Sequence, residues 1–390
     1  MAIIPDNIQE NLTYQTPPAS IMQLANYERT PSVAMDTKKE YLLFSYQSTY
    51  KTLEDLNQQE MSLGGLRINP VTNIATGTNY ISNLKVRKLK DIESIQVAGL
   101  PVHPRIAFVN WSPDETRIAF TQTTEQGVEL WLLDIASAQA TRLTEPIVNA
   151  NLGNPINWFA DSSEMLVRLL PKNRPALLDA KKDLPTGPTI SVSEGSKAQN
   201  RTYPDLLKNS SDEANFVTLT TSELYKIDLK GNAILFKKGN MYAGENISPD
   251  GKYVLITTLH KPFSYIVPLN RFPRLTVVYD IKGNEVKTVT DIALAEVLPK
   301  GFMAVRTGKR DINWRADQPS TLFYVEALDG GDPQTNVAFR DALFQWEAPF
   351  TDTPTQMAKT ISRFSHMTWG NESVAVIHDE WYDTRNEKTI

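Results

Sequence analysis

Three basic side chains lie close together in the run MAVRTGKRDINW (303–314), namely Arg306, Lys309 and Arg310. The run precedes one of the repeated turns described below, where the innermost strand of a sheet unit and its entry loop are expected. Cationic groups at the mouth of a cavity bind acidic ligands through charge-assisted hydrogen bonds. The cluster therefore predicts a binding site for acidic substrate side chains, and a solvated loop without a ligand is the alternative.

Acidic residues recur along the chain, each two or three positions after a bulky residue and just before a run of strand formers. These residues are Asp36, Asp114, Asp161, Asp250, Asp317 and Glu372. A catalytic carboxylate pair is a singular arrangement, whereas a turn is needed in every repeat. Proline before the acid in two copies, Pro113 and Pro249, suits the first central position of a type I turn. We predict that the six residues are structural turn residues.

Motifs for catalysis or cofactor binding are missing from the sequence. The histidines His103, His260, His366 and His378 lack any metal-ligand spacing, and there is no Gly-x-Ser-x-Gly elbow, P-loop or dinucleotide fingerprint. Cysteine is absent, which excludes disulfides, thiolate catalysis and cysteine-ligated zinc. We predict no catalytic residue, no metal and no cofactor in this chain.

A turn that heads a strand at intervals of a few tens of residues is typical of a β-propeller, an all-β array of four-stranded antiparallel blades. The clearest unit has strands predicted at 105–111, 117–122, 128–134 and 140–144, and another has strands at 253–260, 275–280 and 285–290. We expect about seven blades in a complete protein, and the last blade of this chain, the sixth, looks unfinished. Four tryptophans are predicted to pack between blades: Trp111, Trp158, Trp314 and Trp369.

Helical insertions account for the longer intervals between turns. A short helix is predicted within 52–63, which has helix formers with apolar spacing, and a helical insertion at about 172–216. The expected organisation is an N-terminal extension over 1–30 and a propeller over 31–390. After a strand at 373–381 we expect a turn from Tyr382 to Glu387.

Composition limits the classes of partner. A net charge of −5, with 41% hydrophobic and 22% charged residues, argues against nucleic acid or an anionic membrane as the main partner. The sequence contains no stretch long and apolar enough for a membrane span, and no signal peptide at its amino terminus.

Several runs resemble the propeller portion of the S9 (prolyl oligopeptidase) family of serine peptidases, and within it most closely the glutamyl endopeptidase branch. The runs are WRADQPSTLFYVEALDGGDP (314–333), KPFSYIVPLNRFPRL (261–275), LGGLRINPVTN (63–73), IMQLANYERTPSV (21–33) and RTYPDLLKNSSDEANF (201–216). The resemblance implies a propeller that filters substrates above a C-terminal α/β-hydrolase domain carrying Ser, Asp and His. The chain ends before such a domain, so no catalytic residue is transferred to it. Arg310 stands where the family typically has Gly-Pro-Arg, with Lys309 in place of the proline.

Two functions of different classes follow as hypotheses. The first is a non-catalytic, substrate-gating propeller of an S9-type peptidase that cleaves peptides after glutamate. Its partners are the hydrolase domain of the same parent protein and peptide substrates, and its location is periplasmic or extracellular, with the cytoplasm not excluded. The second is a free-standing propeller that serves as a protein-interaction module, which requires a closed ring.

Overall fold

The computed structural model describes residues 16–179, 202–371 and 373–390, which form a mostly β protein with few helices. The helices are α1 (Ala19–Ala25), α2 (Leu53–Leu56), α3 (Ser210–Thr220) and a 3₁₀ turn (Leu269–Arg271). None of the helices within these ranges is long and apolar enough to cross a membrane.

The strands group into successive antiparallel sets, numbered I to VI in chain order. Set I contains β1 (Ser32–Met35), β2 (Tyr41–Gln47), β6 (Ile81–Lys88) and β7 (Ile95–Gln96), and set II contains β8 (Ile106–Trp111), β9 (Arg117–Thr123), β10 (Val128–Asp134) and β11 (Gln139–Arg142). A small separate sheet of β3 (Met61–Leu63), β4 (Leu66–Asn69) and β5 (Ile74–Ala75) lies between β2 and β6 in the sequence. The four strands predicted for set II are confirmed.

Sets III and IV share one long strand. Set III contains β12 (Ile156–Trp158), β13 (Glu164–Leu169), β14 (Ser222–Asp228) and the first part of β15 (Ala233–Ile247), and set IV contains the rest of β15, β16 (Tyr253–Leu259), β17 (Arg274–Asp280) and β18 (Glu285–Ile292). Residues Ala233 to Asn240 of β15 pair with β14, and Met241 to Ile247 pair with β16. The predicted strands of set IV are therefore confirmed, and the sharing of β15 is an addition to the prediction.

Sets V and VI complete the described array. Set V contains β19 (Arg310–Trp314), β20 (Thr321–Ala327), β21 (Asp341–Glu347) and β22 (Thr355–Thr360), and set VI contains β23 (Arg363–Asn371), β24 (Val374–Trp381) and β25 (Asn386–Thr389). The turn after β24 is shorter than predicted, because Asn386 and Glu387 already pair with Trp381 and Glu380 as part of β25.

Two predictions for the insertions meet different outcomes. The helix predicted over 52–63 is wrong for most of its length, since α2 is a single turn with a capping box between Thr52 and Asp55, and Met61–Leu63 is strand β3. The predicted insertion at 172–216 lies partly outside the described residues. Its described end contains α3, whose N-cap is Asn209 and whose Phe216 and Leu219 are buried.

The core is a series of apolar clusters, one between each pair of successive sets. Leu84 and Phe120 lie in the cluster between sets I and II, for example, and Val278 and Trp346 in the one between sets IV and V. The four tryptophans predicted to pack between blades all belong to or contact these clusters: Trp111, Trp158, Trp314 and Trp369. Each set thus lacks a complete core of its own and is stabilised by its neighbours, as expected for a repeat array.

The acidic turns of successive sets lie side by side at one end of the array, called here the turn end. Asp36 Oδ1 accepts hydrogen bonds from the amides of Glu40 and Tyr41, at 2.7 and 3.0 Å, and Asp114 and Asp161 each accept the amide two residues ahead. Neighbouring turns also touch, since the Asp114 amide donates to Ser162 Oγ at 3.0 Å.

Two of the turns differ from this pattern. Asp317 receives two hydrogen bonds from the guanidinium of Arg315, at 3.0 and 2.7 Å. Glu372 lies outside the described residues, and in the same turn the side chain of Asn371 accepts the Ser373 amide at 2.9 Å. An asparagine can therefore take the acceptor position in this turn.

Replacing Asp250 with alanine should destabilise the protein by about 1–3 kcal/mol, because its Oδ1 accepts three hydrogen bonds within and between sets. The donors are Ser248 Oγ at 2.7 Å, the Lys252 amide at 3.2 Å and Ser320 Oγ, from set V, at 2.6 Å. Urea unfolding measures the change, with Asp91→Ala at an exposed position as the control, expected within about 0.5 kcal/mol of the parent.

The same variant has a defined pH dependence. Burial raises the pKa of Asp250, but the hydrogen bonds from Ser320 and Ser248 outweigh burial and lower the pKa below its ordinary value. A lowered carboxyl pKa contributes stability above about pH 4, and this contribution is lost as the pH falls further. The difference between parent and variant should shrink in acid, and a constant difference down to pH 2 would argue against this role.

The insertions lie at the opposite end of the sets, called here the insertion end. Antiparallel pairing places the connection after the second strand of a set opposite the acidic turn. The connections after β2, β13 and β16 meet there in one apolar cluster, the insertion cluster. It consists of Leu63, Ile68, Leu207, Phe216, Leu219, Met241, Leu259, Phe263, Val267 and Phe272. The insertions of sets I, III and IV therefore form one packed layer over this end.

Candidate functional site

The predicted basic residues lie in the connection from β18 to β19, which reaches the insertion end. The connection contacts the insertion of set IV, because the Ala295 amide donates to the carbonyl of Arg271 at 3.1 Å. Arg306, Lys309 and Arg310 nevertheless have three different environments, described in turn.

Arg310 begins β19, and its side chain faces acids of its own chain. Nη1 donates to Asp311 Oδ2 at 2.6 Å, and Nη2 is hydrogen-bonded to Asp341, whose carboxylate is fully buried. These two contacts occupy the terminal nitrogens that a substrate carboxylate would use in a bidentate pair. A substrate-binding role for Arg310 stays a prediction.

Asp341 belongs to a buried ionic network that joins set VI to set V. Arg363, in β23, donates from Nη1 to Asp341 Oδ1 at 2.8 Å and from Nη2 to Asp329 Oδ2 at 2.7 Å. Arg340 Nη1 reaches the same oxygen of Asp329 at 3.0 Å. Burial raises the pKa of Asp329, but the hydrogen bonds from Arg363 and Arg340 outweigh burial and hold the pKa below its usual range.

Lys309 is tied to the core between sets IV and V. Its Nζ donates to the carbonyl of Val289 at 3.0 Å and lies 5.0 Å from the ring centre of Trp346 and 5.1 Å from that of Tyr324. Burial lowers the pKa of Lys309, and the charge of Lys287 lowers it further while Glu326 acts in the opposite direction. The side chain therefore supports packing between the sets.

Arg306 differs from both because its guanidinium forms no ion pair with the described residues, whereas Arg310, which also has an unpaired buried nitrogen, Nε, binds two carboxylates. The side chain lines a cavity of about 460 Å³ formed by residues 290–308 and Gly330. Its Nη2 is buried and has no hydrogen-bond partner. Burial lowers the pKa of Arg306, and the charges of Arg274 and Arg271 lower it further.

Arg271 and Arg274 form, with Arg306, the arginine cluster. Arg271 is 6% exposed, with Nη2 donating to the hydroxyl of Tyr203 at 2.8 Å and Nη1 buried without a partner. Arg274 Nη2 makes a long contact, 3.4 Å, with the carbonyl of Leu269, while its Nε is buried and unpaired. Within the described ranges, no Asp or Glu forms an ion pair with any member of the cluster.

Sequence reasoning found Arg306 and missed the other two arginines. Both occur in the run 261–275, which was used only for the family resemblance. The available signal was two arginines three positions apart without a nearby acid, Arg271 in the proline-rich connection before β17 and Arg274 at the start of that strand. Only the fold brings them next to the connection that contains Arg306.

A larger cavity, of about 580 Å³, lies near the start of the insertion of set I and is lined by Tyr50, Asp55, Tyr80 and Arg105 among others. One of its basic residues is neutralised, since Arg105 Nη2 lies 2.8 Å from Asp55 Oδ1 and the guanidinium covers the ring of Tyr80. Arg29 and Lys51 also line this cavity, and both are exposed.

The histidine rings have contacts that suit structural roles. His260 Nε2 lies 2.8 Å from Asp291 Oδ1, and the rings of His366 and His378 stack at 4.0 Å. Among the residues that the structure describes, no three side chains of His, Asp or Glu are arranged to hold a metal ion.

Comparison with known proteins finds relatives that are named as peptidases. No family model matches it. It is 32% identical to the protein named "Probable glutamyl endopeptidase, chloroplastic" of Oryza sativa subsp. japonica, over 96% of this chain and 42% of that protein. The protein of the same name in Arabidopsis thaliana is 31% identical over 98% of this chain and 41% of its own length. The chain thus spans less than half the length of these relatives.

Solved structures with similar folds include peptidase and propeller proteins. The acylaminoacyl peptidase of Pyrococcus horikoshii matches 91% of this chain and 43% of its own, with 11% identity and a TM-score of 0.45. The β-propeller domain of the Trilobed protease from Pyrococcus furiosus matches 90% of this chain and 79% of its own, with 10% identity and a TM-score of 0.42. Along nearly its whole length, the chain resembles the propeller portion of the S9 serine peptidases, in particular their glutamyl endopeptidase branch.

Proposed function

We propose that this chain is the non-catalytic, substrate-gating propeller portion of an S9-type serine peptidase that cleaves peptides after glutamate. The observation that carries the proposal is the match to the two glutamyl endopeptidases, which extends over almost all of this chain and less than half of each relative. Strand sets I to VI are then blades of the propeller, and the hydrolase domain is contributed by further sequence of the parent protein.

The geometry of the chain supports a filter. Successive sets are held together through inter-set cores, so they form a wall without independent domains. The insertion end carries a packed layer and a half-buried group of unpaired arginines beside a cavity. An acidic peptide side chain is the complementary ligand for such a surface.

The site and the location are parts of the same proposal. Of the three basic residues predicted from the sequence, Arg306 has no ion pair with the described residues and a buried donor free for substrate, whereas Lys309 donates to a carbonyl and Arg310 is paired with two carboxylates. A periplasmic or extracellular location is also proposed. The two relatives carry the word chloroplastic in their names, which refers to those proteins.

The 390-residue chain should not hydrolyse peptides that contain glutamate. The measurement is a fluorogenic peptide assay with a glutamyl residue before the scissile bond, and a longer native protein that includes this chain serves as the positive control. Turnover by the 390 residues that survives repurification and is blocked by a serine-directed inhibitor would refute the proposal.

The intact mass of the polypeptide from its own cells separates the two hypotheses. A mass well above 43.8 kDa supports the peptidase, since the reading frame then continues into further sequence. A mass near 43.8 kDa favours a free-standing interaction module.

A further inference from the structure

Positive charge in the arginine cluster is not compensated by any carboxylate of the described residues. Three other buried guanidiniums are paired with carboxylates, Arg168 with Glu245, Arg315 with Asp317 and Arg363 with Asp329. Arg174 resembles the cluster in having a buried, unpaired nitrogen, but it is hydrogen-bonded to Asn73 and stands alone. Arg271, Arg274 and Arg306 have no such partner among the described residues, although Arg271 is more than nine-tenths buried. Buried charges are normally paired, because an unpaired one loses hydration without a compensating interaction.

Unused donors on the three side chains indicate what is missing. Each guanidinium has one buried nitrogen without a hydrogen-bond partner: Arg271 Nη1, Arg274 Nε and Arg306 Nη2. The hydroxyl of Tyr203 and the carbonyl of Leu269 satisfy other nitrogens but bring no negative charge. An oxyanion with two acceptor oxygens supplies both the charge and the acceptors.

We propose that Arg271, Arg274 and Arg306 form a carboxylate-binding site at the insertion end, occupied by an acidic side chain of a peptide. The adjacent cavity, about 460 Å³, is within the size range of ligand pockets and gives the rest of a peptide residue room to enter. One acid lines this cavity, Asp291, and its carboxylate is bound to His260 at 2.8 Å.

The unpaired arginines alone indicate that an anion binds here. That this anion is the side chain of a peptide rests on the proposed function. Free small anions are the other source of the same chemistry. The position of the cluster, beside the packed insertions of sets III and IV and opposite the acidic turns, places the site on the side from which the insertions project.

Binding is measured by titrating the 390-residue chain with the peptide Ac-Ala-Glu-Ala-NH₂ and with its glutamine counterpart, at constant ionic strength, using isothermal calorimetry. Sodium acetate is titrated separately as the free-anion probe. Arg306→Gln and Arg274→Gln are the site variants. Arg117→Gln is the charge-matched control, because Arg117 lies at the turn end and donates to Thr116 at 3.2 Å.

We expect the glutamate peptide to bind the parent chain at least about tenfold more tightly than the glutamine peptide. Either site variant should abolish this preference, and Arg117→Gln should retain it. Without ligand, Arg306→Gln should also raise the thermal midpoint of unfolding, since it removes one of three mutually repelling charges. A purely structural Arg306 would instead give a lower midpoint.

Three results overturn the inference. They are equal or undetectable binding of the two peptides by the parent chain, a glutamate preference that survives both site variants, and acetate that binds as tightly as the glutamate peptide. The last result would assign the cluster to free anions. The assay measures binding and does not measure hydrolysis. If a longer protein that contains this chain had no peptidase activity, the proposed function would be refuted, but the binding result would not change.

Discussion

Replacing Arg363 with methionine should destabilise the protein by about 3–5 kcal/mol, the usual effect of removing one partner from a buried ion pair. The guanidinium is 3% exposed and binds two carboxylates that are themselves fully buried, those of Asp329 and Asp341. Its Nε also donates to the carbonyl of Met303 at 3.1 Å. Methionine retains much of the apolar volume, so the effect reports mainly on the loss of the cation that the two carboxylates share, each of which keeps one other arginine, Arg340 for Asp329 and Arg310 for Asp341.

Urea unfolding followed by tryptophan fluorescence measures this change. Arg117→Met, at a partly exposed position, is the matched control and should stay within about 0.5 kcal/mol of the parent. Arg363→Lys should fall between the two, because a lysine keeps the charge but cannot bind both carboxylates with a planar fork. A loss below about 1 kcal/mol for Arg363→Met would mean that the network behaves like an exposed salt bridge.

Replacing Phe216 with alanine should remove about 3–5 kcal/mol of stability, the range for deleting a fully buried aromatic side chain. Phe216 lies at the centre of the insertion cluster, with its ring 5.2 Å from that of Phe263 and 5.7 Å from that of Phe272. Gly64, from the insertion of set I, packs directly against the same ring. The cavity left by the substitution therefore opens between three insertions.

Native-state hydrogen exchange shows where this loss appears. The Leu269 amide donates to Gly64 at 2.8 Å and the Gly65 amide donates to Asp205 at 2.8 Å, so both amides report on contacts between insertions. They should lose protection in Phe216→Ala, while amides in set II keep theirs. Thr218→Ala on the same helix is the control, and equal loss in both variants would contradict the central role of Phe216.

The strands and turns were readable from the sequence because their signals are local. In set II, short runs of β-branched and aromatic residues are separated by turns, and the predicted strands match the observed ones within a few residues. The helix prediction over 52–63 was wrong because it relied on composition and ignored pairing: Met61–Leu63 is held as a strand by its register with Leu66–Ile68. Tertiary pairing thus overrode local propensity.

The candidate site could be predicted only in part, because it depends on contacts between residues that are distant in the sequence. Arg306 was singled out, but the neighbours that give it significance, Arg271 and Arg274, come from another connection and depend on how sets IV and V meet. Arg310 looked equivalent to Arg306 in the sequence, and its pairing with Asp341 is visible only once β19 and β21 are placed. Charge balance in three dimensions, which the sequence does not display, distinguishes the two.

Strand β15 determines how sets III and IV can move relative to each other. Its 15 residues continue from set III into set IV without an intervening loop, and its two halves pair with β14 and β16, so these sets can change their mutual angle only by bending one hydrogen-bonded strand. Sets IV and V are joined instead by the connection 293–309, which includes Arg306 and contains no strand. Sets III and IV are thus coupled through continuous backbone, whereas sets IV and V are coupled through side-chain packing and through contacts such as Ser320 Oγ to Asp250.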